Sequence, residues 1–108
     1  MRNAGSLVTD DVLRSLVISQ HVLGTREVML VHHTKCGLLG VNDAALRAKL
    51  AGHVGRSLPY EPGGFDDLDE AVRKAIVRVR SHPFLPHRDC VRGFVYDVDM
   101  ARLREVLV

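Results

Sequence analysis

The sequence predicts an α/β protein: a parallel-centred open sheet flanked by helices. Three observations predict it. Apolar runs of strand length alternate with apolar stripes at helical spacing along the chain. The run Glu27-Val-Met-Leu-Val-His32 is continuous rather than alternating, the pattern of a strand covered on both faces in a parallel sheet. The segments between that run and the next strand signal are helical, and a strand–helix–strand order calls for right-handed crossovers rather than hairpins.

Each element follows from local chemistry. Thr9 is a good N-cap, and Asp10 and Asp11 occupy the first turn, where the helix dipole favours negative charge. Val12, Leu13, Leu16, Val17, Gln20 and Leu23 then recur at spacings of three and four, and Gly24 supplies the C-terminal cap. A strand is expected over residues 27–32. A second helix starts at Asn42 or Asp43 and carries Ala45, Leu46, Lys49, Leu50 and His53. The stretch Ser57-Leu-Pro-Tyr-Glu-Pro-Gly-Gly64 holds two prolines and a glycine pair and reads as a surface loop. A third helix is expected from Asp66, as cap, to Ser81, with Leu68, Val72, Ala75, Ile76 and Val79 as its stripe and Pro83 as its stop. Val91 to Val98 alternates as a strand with Phe94, Tyr96 and Val98 on one face. Leu103 to Val108 reads as a further short strand after a turn at 99–102.

A chain of 108 residues is one domain's worth, so residues 1–108 are expected to form a single domain. At 46% hydrophobic residues it can bury a core, which excludes a disordered chain. Lys and Arg number 15 against 13 Asp and Glu, giving +2 with no dense basic stripe, so no nucleic-acid partner is expected. The apolar stretches are only a few residues long, far short of the ~20 a membrane helix needs. No apolar signal region follows Met1, and the two cysteines make no disulfide framework, so a cytoplasmic protein is expected.

The strongest chemical constellation is His32-His33-Thr34-Lys35-Cys36-Gly37, where the first strand ends. Ligands of open α/β sheets bind beyond the carboxyl ends of strands. The spacing His33-x-x-Cys36 lets a turn aim an imidazole and a thiolate at one point, and that soft pair suits zinc better than magnesium or calcium. A helical turn after Cys36 would favour its thiolate, and Gly37 would allow a close backbone approach. The plainer reading of an isolated His–Cys pair is buried filler. Two ligands also do not make a zinc site, which takes three or four protein donors. Cys90 is expected as a small core residue rather than a third ligand. His32 points to the opposite side of the strand from His33. His21, His53, His82 and His87 lack metal-like spacing.

Arg2-Asn3-Ala4-Gly5, Thr9 to Leu16, Leu23-Gly-Thr-Arg-Glu27, His32 to Gly37 and Arg92 to Val98, in this order, resemble the β-class carbonic anhydrases over almost the whole chain. The resemblance implies zinc as cofactor and reversible hydration of carbon dioxide to bicarbonate. It implies His33 and Cys36 as two of three protein zinc ligands, with Gly37 beside them. Asn3, Ala4 and Gly5 would be the loop facing the metal and substrate, the plainer reading of the same residues being a helix-entry turn. It also implies homodimers whose sites lie at the subunit interface. One departure is plain. The family's C-x-D-x-R segment, with its first cysteine ligand and its Asp–Arg dyad, has no counterpart here. The chain therefore reads either as a member that has lost the family's N-terminal strand and helices or, the favoured expectation, as one whose start is placed too late, and no catalytic residue is assigned. Weak zinc binding and little or no hydratase activity are expected. The alternative is a non-catalytic dimerising interaction module that keeps the fold without the complete site.

Overall fold

The computed structural model describes residues 1–108. After a 3-10 turn at Ala4–Ser6, the elements are α1 (Asp10–Leu23), β1 (Val28–His33), α2 (Asp43–Val54), α3 (Leu68–Arg80), β2 (Val91–Asp97) and β3 (Arg102–Val106). The fold is α/β with a mixed open sheet ordered β1-β2-β3. β1 pairs parallel with β2, Val28 opposite Val91 and His33 opposite Tyr96, and β2 pairs antiparallel with β3.

The helix ends are set by short-range bonds. Thr9 Oγ1 accepts from the Val12 N–H, and Gly24 ends α1 in the left-handed region. Asn42 caps α2 through the Ala45 N–H. The cap of α3 is Asp67, which accepts from the Glu70 N–H, and not Asp66 as expected. Phe65 is held extended by an isolated bridge to Leu39, and the chain turns helical only after Asp67.

The core lies between α3 and one face of the sheet. Val72, Ile76 and Val79 of α3 meet Val91 and Val95 of β2, with Leu85 beside them, and all are buried to within 2%. Burying each such side chain contributes about 1.5–3 kcal/mol. Gly93 lets α3 lie close on β2, because a β carbon there would strike Val72 and Ile76. Leu13 of α1 joins this core, with Val12, Leu16 and Val17 packed against it. Gln20, also buried, fastens α1 to the segment before β2: its amide donates to the His87 carbonyl and accepts from the His87 N–H. No residue of α2 is buried. That helix instead holds the 57–64 loop, where Asp43 accepts from the Gly63 and Gly64 N–H groups and Arg47 donates to the Leu58 and Tyr60 carbonyls.

Three expectations need correction. β1 is not covered on both faces: Val28 and His32 are buried, whereas Met29 is 57% and Val31 43% exposed. Helices pack on one side of it only, and a continuous apolar run looks the same in either case. β2 stops at Asp97, since the Val98 N–H leaves the sheet for a side chain of the turn after β1. β3 covers 102–106 rather than 103–108.

Candidate metal-binding turn

β1 delivers His33 to its carboxyl end, and residues 34–37 turn away from the sheet. The alternation of the strand separates the two histidines. His32 faces the helical layer and is 3% exposed, and His33 faces solvent. Burial, and secondarily the neighbouring His33, holds the His32 pKa below the ordinary histidine value. Its Nδ1 is buried without any hydrogen-bond partner.

The His33 ring is oriented by its own backbone neighbour. Nδ1 lies 2.7 Å from the Thr34 carbonyl oxygen, which can only accept, so Nδ1 carries the proton and Nε2 the free lone pair. Metal-binding histidines adopt this arrangement, one nitrogen donating to a carbonyl while the other ligates. Cys36 is a free, half-buried thiol on the same turn. Imidazole and thiolate match the donor preference of zinc, so the pair fits that ion in kind. In number it supplies two donors, and no group of three or more His, Cys, Asp or Glu side chains comes together anywhere in the chain.

The Asn3–Ser6 segment packs beside this turn. Ser6 Oγ donates to the Val31 carbonyl at 3.1 Å, and Gly5 (φ 68°) lies so close to Leu38 that a β carbon would overlap it. Asn3 Nδ2 donates to the Leu7 carbonyl at 2.7 Å and closes the 3-10 turn holding Ala4 and Gly5. Asn3, Gly5 and His33 line one groove of about 830 Å³, walled on its other side by β1.

Other expectations about the site do not hold. No helix begins at Cys36; residues 38–40 form turns and a bridge, and α2 starts only at Asp43, so no helix N-terminus acts on the thiol. Nothing lies within 4 Å of a β carbon built on Gly37, so no close approach there requires glycine. Cys90 is exposed and not a core residue. It sits beside Val28, at the opposite end of β1 from His33, with its carbonyl accepting the Val28 N–H. Five strand residues at ~3.3 Å each place it roughly 16 Å from the turn, too far to be a third ligand. His21 bonds to the Phe84 carbonyl and His82 packs against Phe84, both remote from the turn. Thr34 was not singled out by the sequence, although its backbone and hydroxyl both tie the turn to β2.

No protein-family model matches the chain. Individual proteins do. β-Carbonic anhydrase 1 of Mycobacterium tuberculosis (strain ATCC 25618 / H37Rv) is 43% identical over 106 residues, covering 98% of this chain and 65% of the relative. A solved carbonic anhydrase from Streptococcus mutans superposes with a TM-score of 0.88 at 40% identity, over 99% of this chain and 65% of that one. The chain is a homologue of the β-class carbonic anhydrases. A carbon disulfide hydrolase of Acidithiobacillus thiooxidans is also similar, at 34% identity over 95% of this chain and 56% of the relative. This β-carbonic-anhydrase homologue thus spans about two thirds or less of the length of the proteins it matches. No helix in it is long and apolar enough to cross a membrane.

Proposed function

We propose that this chain carries a two-donor zinc half-site of carbonic-anhydrase type, His33 through Nε2 and Cys36 through its thiolate, and that it serves reversible hydration of carbon dioxide to bicarbonate only when further donors join it. The observation that carries this reading is the His33 ring, locked by the Thr34 carbonyl with its ligating nitrogen free, on the same short turn as a half-buried thiol. Zinc, when bound, supplies the Lewis acidity that makes water nucleophilic at neutral pH. In the net reaction a water oxygen bonds to the carbon of carbon dioxide, one C=O π bond opens, and a proton leaves to solvent.

The chain's own residues have simpler tasks. His33 lines the groove, with Nε2 the nitrogen that the Thr34 carbonyl leaves unengaged. Asn3 and Gly5 line the same groove, and this reading assigns their loop to the substrate. Met29, Val31 and Val98 give the groove an apolar lining that suits a small apolar gas. This reading assigns none of these 108 residues to the proton-handling role that the family gives to its Asp–Arg dyad. Two donors hold zinc weakly, because the full affinity of a structural site, on the order of 10 kcal/mol or more, needs all its ligands. Both cysteines are free thiols, in keeping with a reducing compartment such as the cytoplasm, and a homodimer is the assembly this reading favours.

A second reading is favoured by the lack of any three-donor cluster: a non-catalytic dimerising module that keeps the fold alone. Elemental analysis and equilibrium zinc titration of the purified 108-residue chain separate the two, together with stopped-flow carbon dioxide hydration. The half-site reading expects weak zinc binding, abolished by His33→Ala or Cys36→Ser, and no hydration above the uncatalysed rate. Tight stoichiometric zinc with full hydratase activity refutes the half-site. Zinc binding indifferent to both substitutions leaves the module.

A further inference from the structure

The turn bearing His33 and Cys36 is fastened by hydrogen bonds and an ion pair to the end of β2 and its connection to β3. The Thr34 N–H donates to the Tyr96 carbonyl at 2.9 Å, and Thr34 Oγ1 accepts from the Val98 N–H at 3.0 Å. Lys35, left-handed at φ 57°, reaches Asp99 with its ammonium 2.7 Å from the carboxylate. The receiving side is itself shaped: Asp97 Oδ1 accepts from both the Asp99 and the Met100 N–H at 3.0 Å. Thr34 is therefore held by its N–H and its hydroxyl at once, and its third polar group, the carbonyl, is the acceptor for His33 Nδ1.

We propose that Thr34 is a positioning residue for His33, latched to the β2–β3 turn with the Lys35–Asp99 pair as a secondary tie, and that this latch selects the imidazole tautomer that leaves Nε2 free. A carbonyl oxygen cannot donate, so wherever it is fixed against Nδ1 the proton must sit on Nδ1. It stays fixed only while the Thr34 peptide cannot rotate. The Oγ1–Val98 bond supplies that restraint beyond what the strand ladder provides. The ion pair is the lesser tie, because both its side chains are more than half exposed and water competes for them. It steadies Lys35 in a backbone conformation that non-glycine residues seldom hold. Ligand-orienting partners of this kind change metal affinity by about 10–100-fold when removed.

The inference rests on His33 being a metal donor, and its test has one arm that needs no metal. Nitrogen-15 NMR of the metal-free chain, at about pH 8 where an ordinary histidine is neutral, reads the His33 tautomer directly. The wild type is expected to show protonated Nδ1. Thr34→Val keeps the backbone groups and the branched shape but lacks the acceptor, and is expected to populate the other tautomer. Thr34→Ser is expected to restore the first. In the second arm, cobalt titration followed by its thiolate charge-transfer band is expected to show about tenfold weaker binding for Thr34→Val and recovery for Thr34→Ser. Asp99→Ala, a surface change that leaves the core intact, is expected to shift both readings the same way by less. Unchanged ring nitrogens in Thr34→Val, or in Asp99→Ala should Thr34→Val not fold, overturn the latch. Absence of cobalt binding in the wild type overturns the zinc reading instead, with the tautomer still deciding the latch.

Discussion

Replacing Gly93 by alanine is expected to destabilise the chain by about 1–2 kcal/mol. Gly93 sits mid-sheet, opposite Leu30 on β1 and Val106 on β3, directly beneath α3. A β carbon there would stand 2.6 Å from Ile76 Cδ1 and 3.1 Å from Ile76 Cγ1, and nearer still to Val72 Cγ1. Favourable carbon contacts lie at ~3.5–4.0 Å, so something must give. Ile76 can swing its terminal methyl, but Val72 is stiff about its first side-chain bond, and both are fully enclosed. Overpacking of this kind costs about 1–3 kcal/mol. Alanine returns about 0.4–1 kcal/mol by restricting the unfolded chain, which sets the net figure. Urea unfolding measures it as a lower midpoint at unchanged slope. A Val72→Ala change on the same chain makes room for the methyl, so the double variant is expected to lose at least ~0.5 kcal/mol less than the two singles together. A Gly93→Ala chain as stable as wild type, or strictly additive losses, would refute the close approach of α3 to β2.

Other outcomes follow from single residues. Gln20→Ala is expected to cost about 1–2 kcal/mol in urea unfolding, since it removes the buried amide that pairs with the partly buried N–H and C=O of His87. Asp67→Ala removes the α3 cap and is expected to cost about 1 kcal/mol, with Asp66→Ala near neutral because it caps nothing. His32→Leu is expected to leave stability unchanged or raise it by about 1 kcal/mol in thermal unfolding, because its buried Nδ1 has no bond to lose. The hydrogen bond from Arg104 holds the Asp69 carboxyl below the usual carboxylate range. A lowered carboxylate pKa contributes stability above the unfolded value that is lost as pH falls through the folded one. Urea midpoints at about pH 3 and 6 should therefore differ slightly more in wild type than in Asp69→Asn, by well under 1 kcal/mol given the exposure of the pair.

The sequence carried what is local and was mute on what is not. Thr9 and Gly24 bracket α1 in the structure as they do in the sequence, because a cap acts within a few residues of itself. Asp66 and Asp67 are equivalent on paper, and the choice between them is made by the Leu39–Phe65 bridge, which no short window contains. The apolar run of β1 revealed a strand but not the exposed side on which Met29 and Val31 lie, since coverage depends on which elements dock there. Cys90 looked like a core residue for the same reason and proved exposed. His33 and Cys36 were legible by their spacing. The hydroxyl of Thr34 was not, since its partner Val98 lies 64 positions away.

That separation has a kinetic consequence. Gly93 and Val106 pair across a short hairpin, whereas Val28 and Val91 pair only after the whole intervening chain, with α2 and α3, has closed. Hairpins form in roughly 1–10 μs, and the entropy of closing a long loop must be met before a parallel ladder gains any bonds. During refolding the β2–β3 hairpin is therefore expected to be present, and the Val98 amide waiting, before β1 arrives. The turn that fixes His33 is then assembled in the slowest step, so a chain caught part-way would show native-like hairpin signals with its imidazole still free to exchange tautomers.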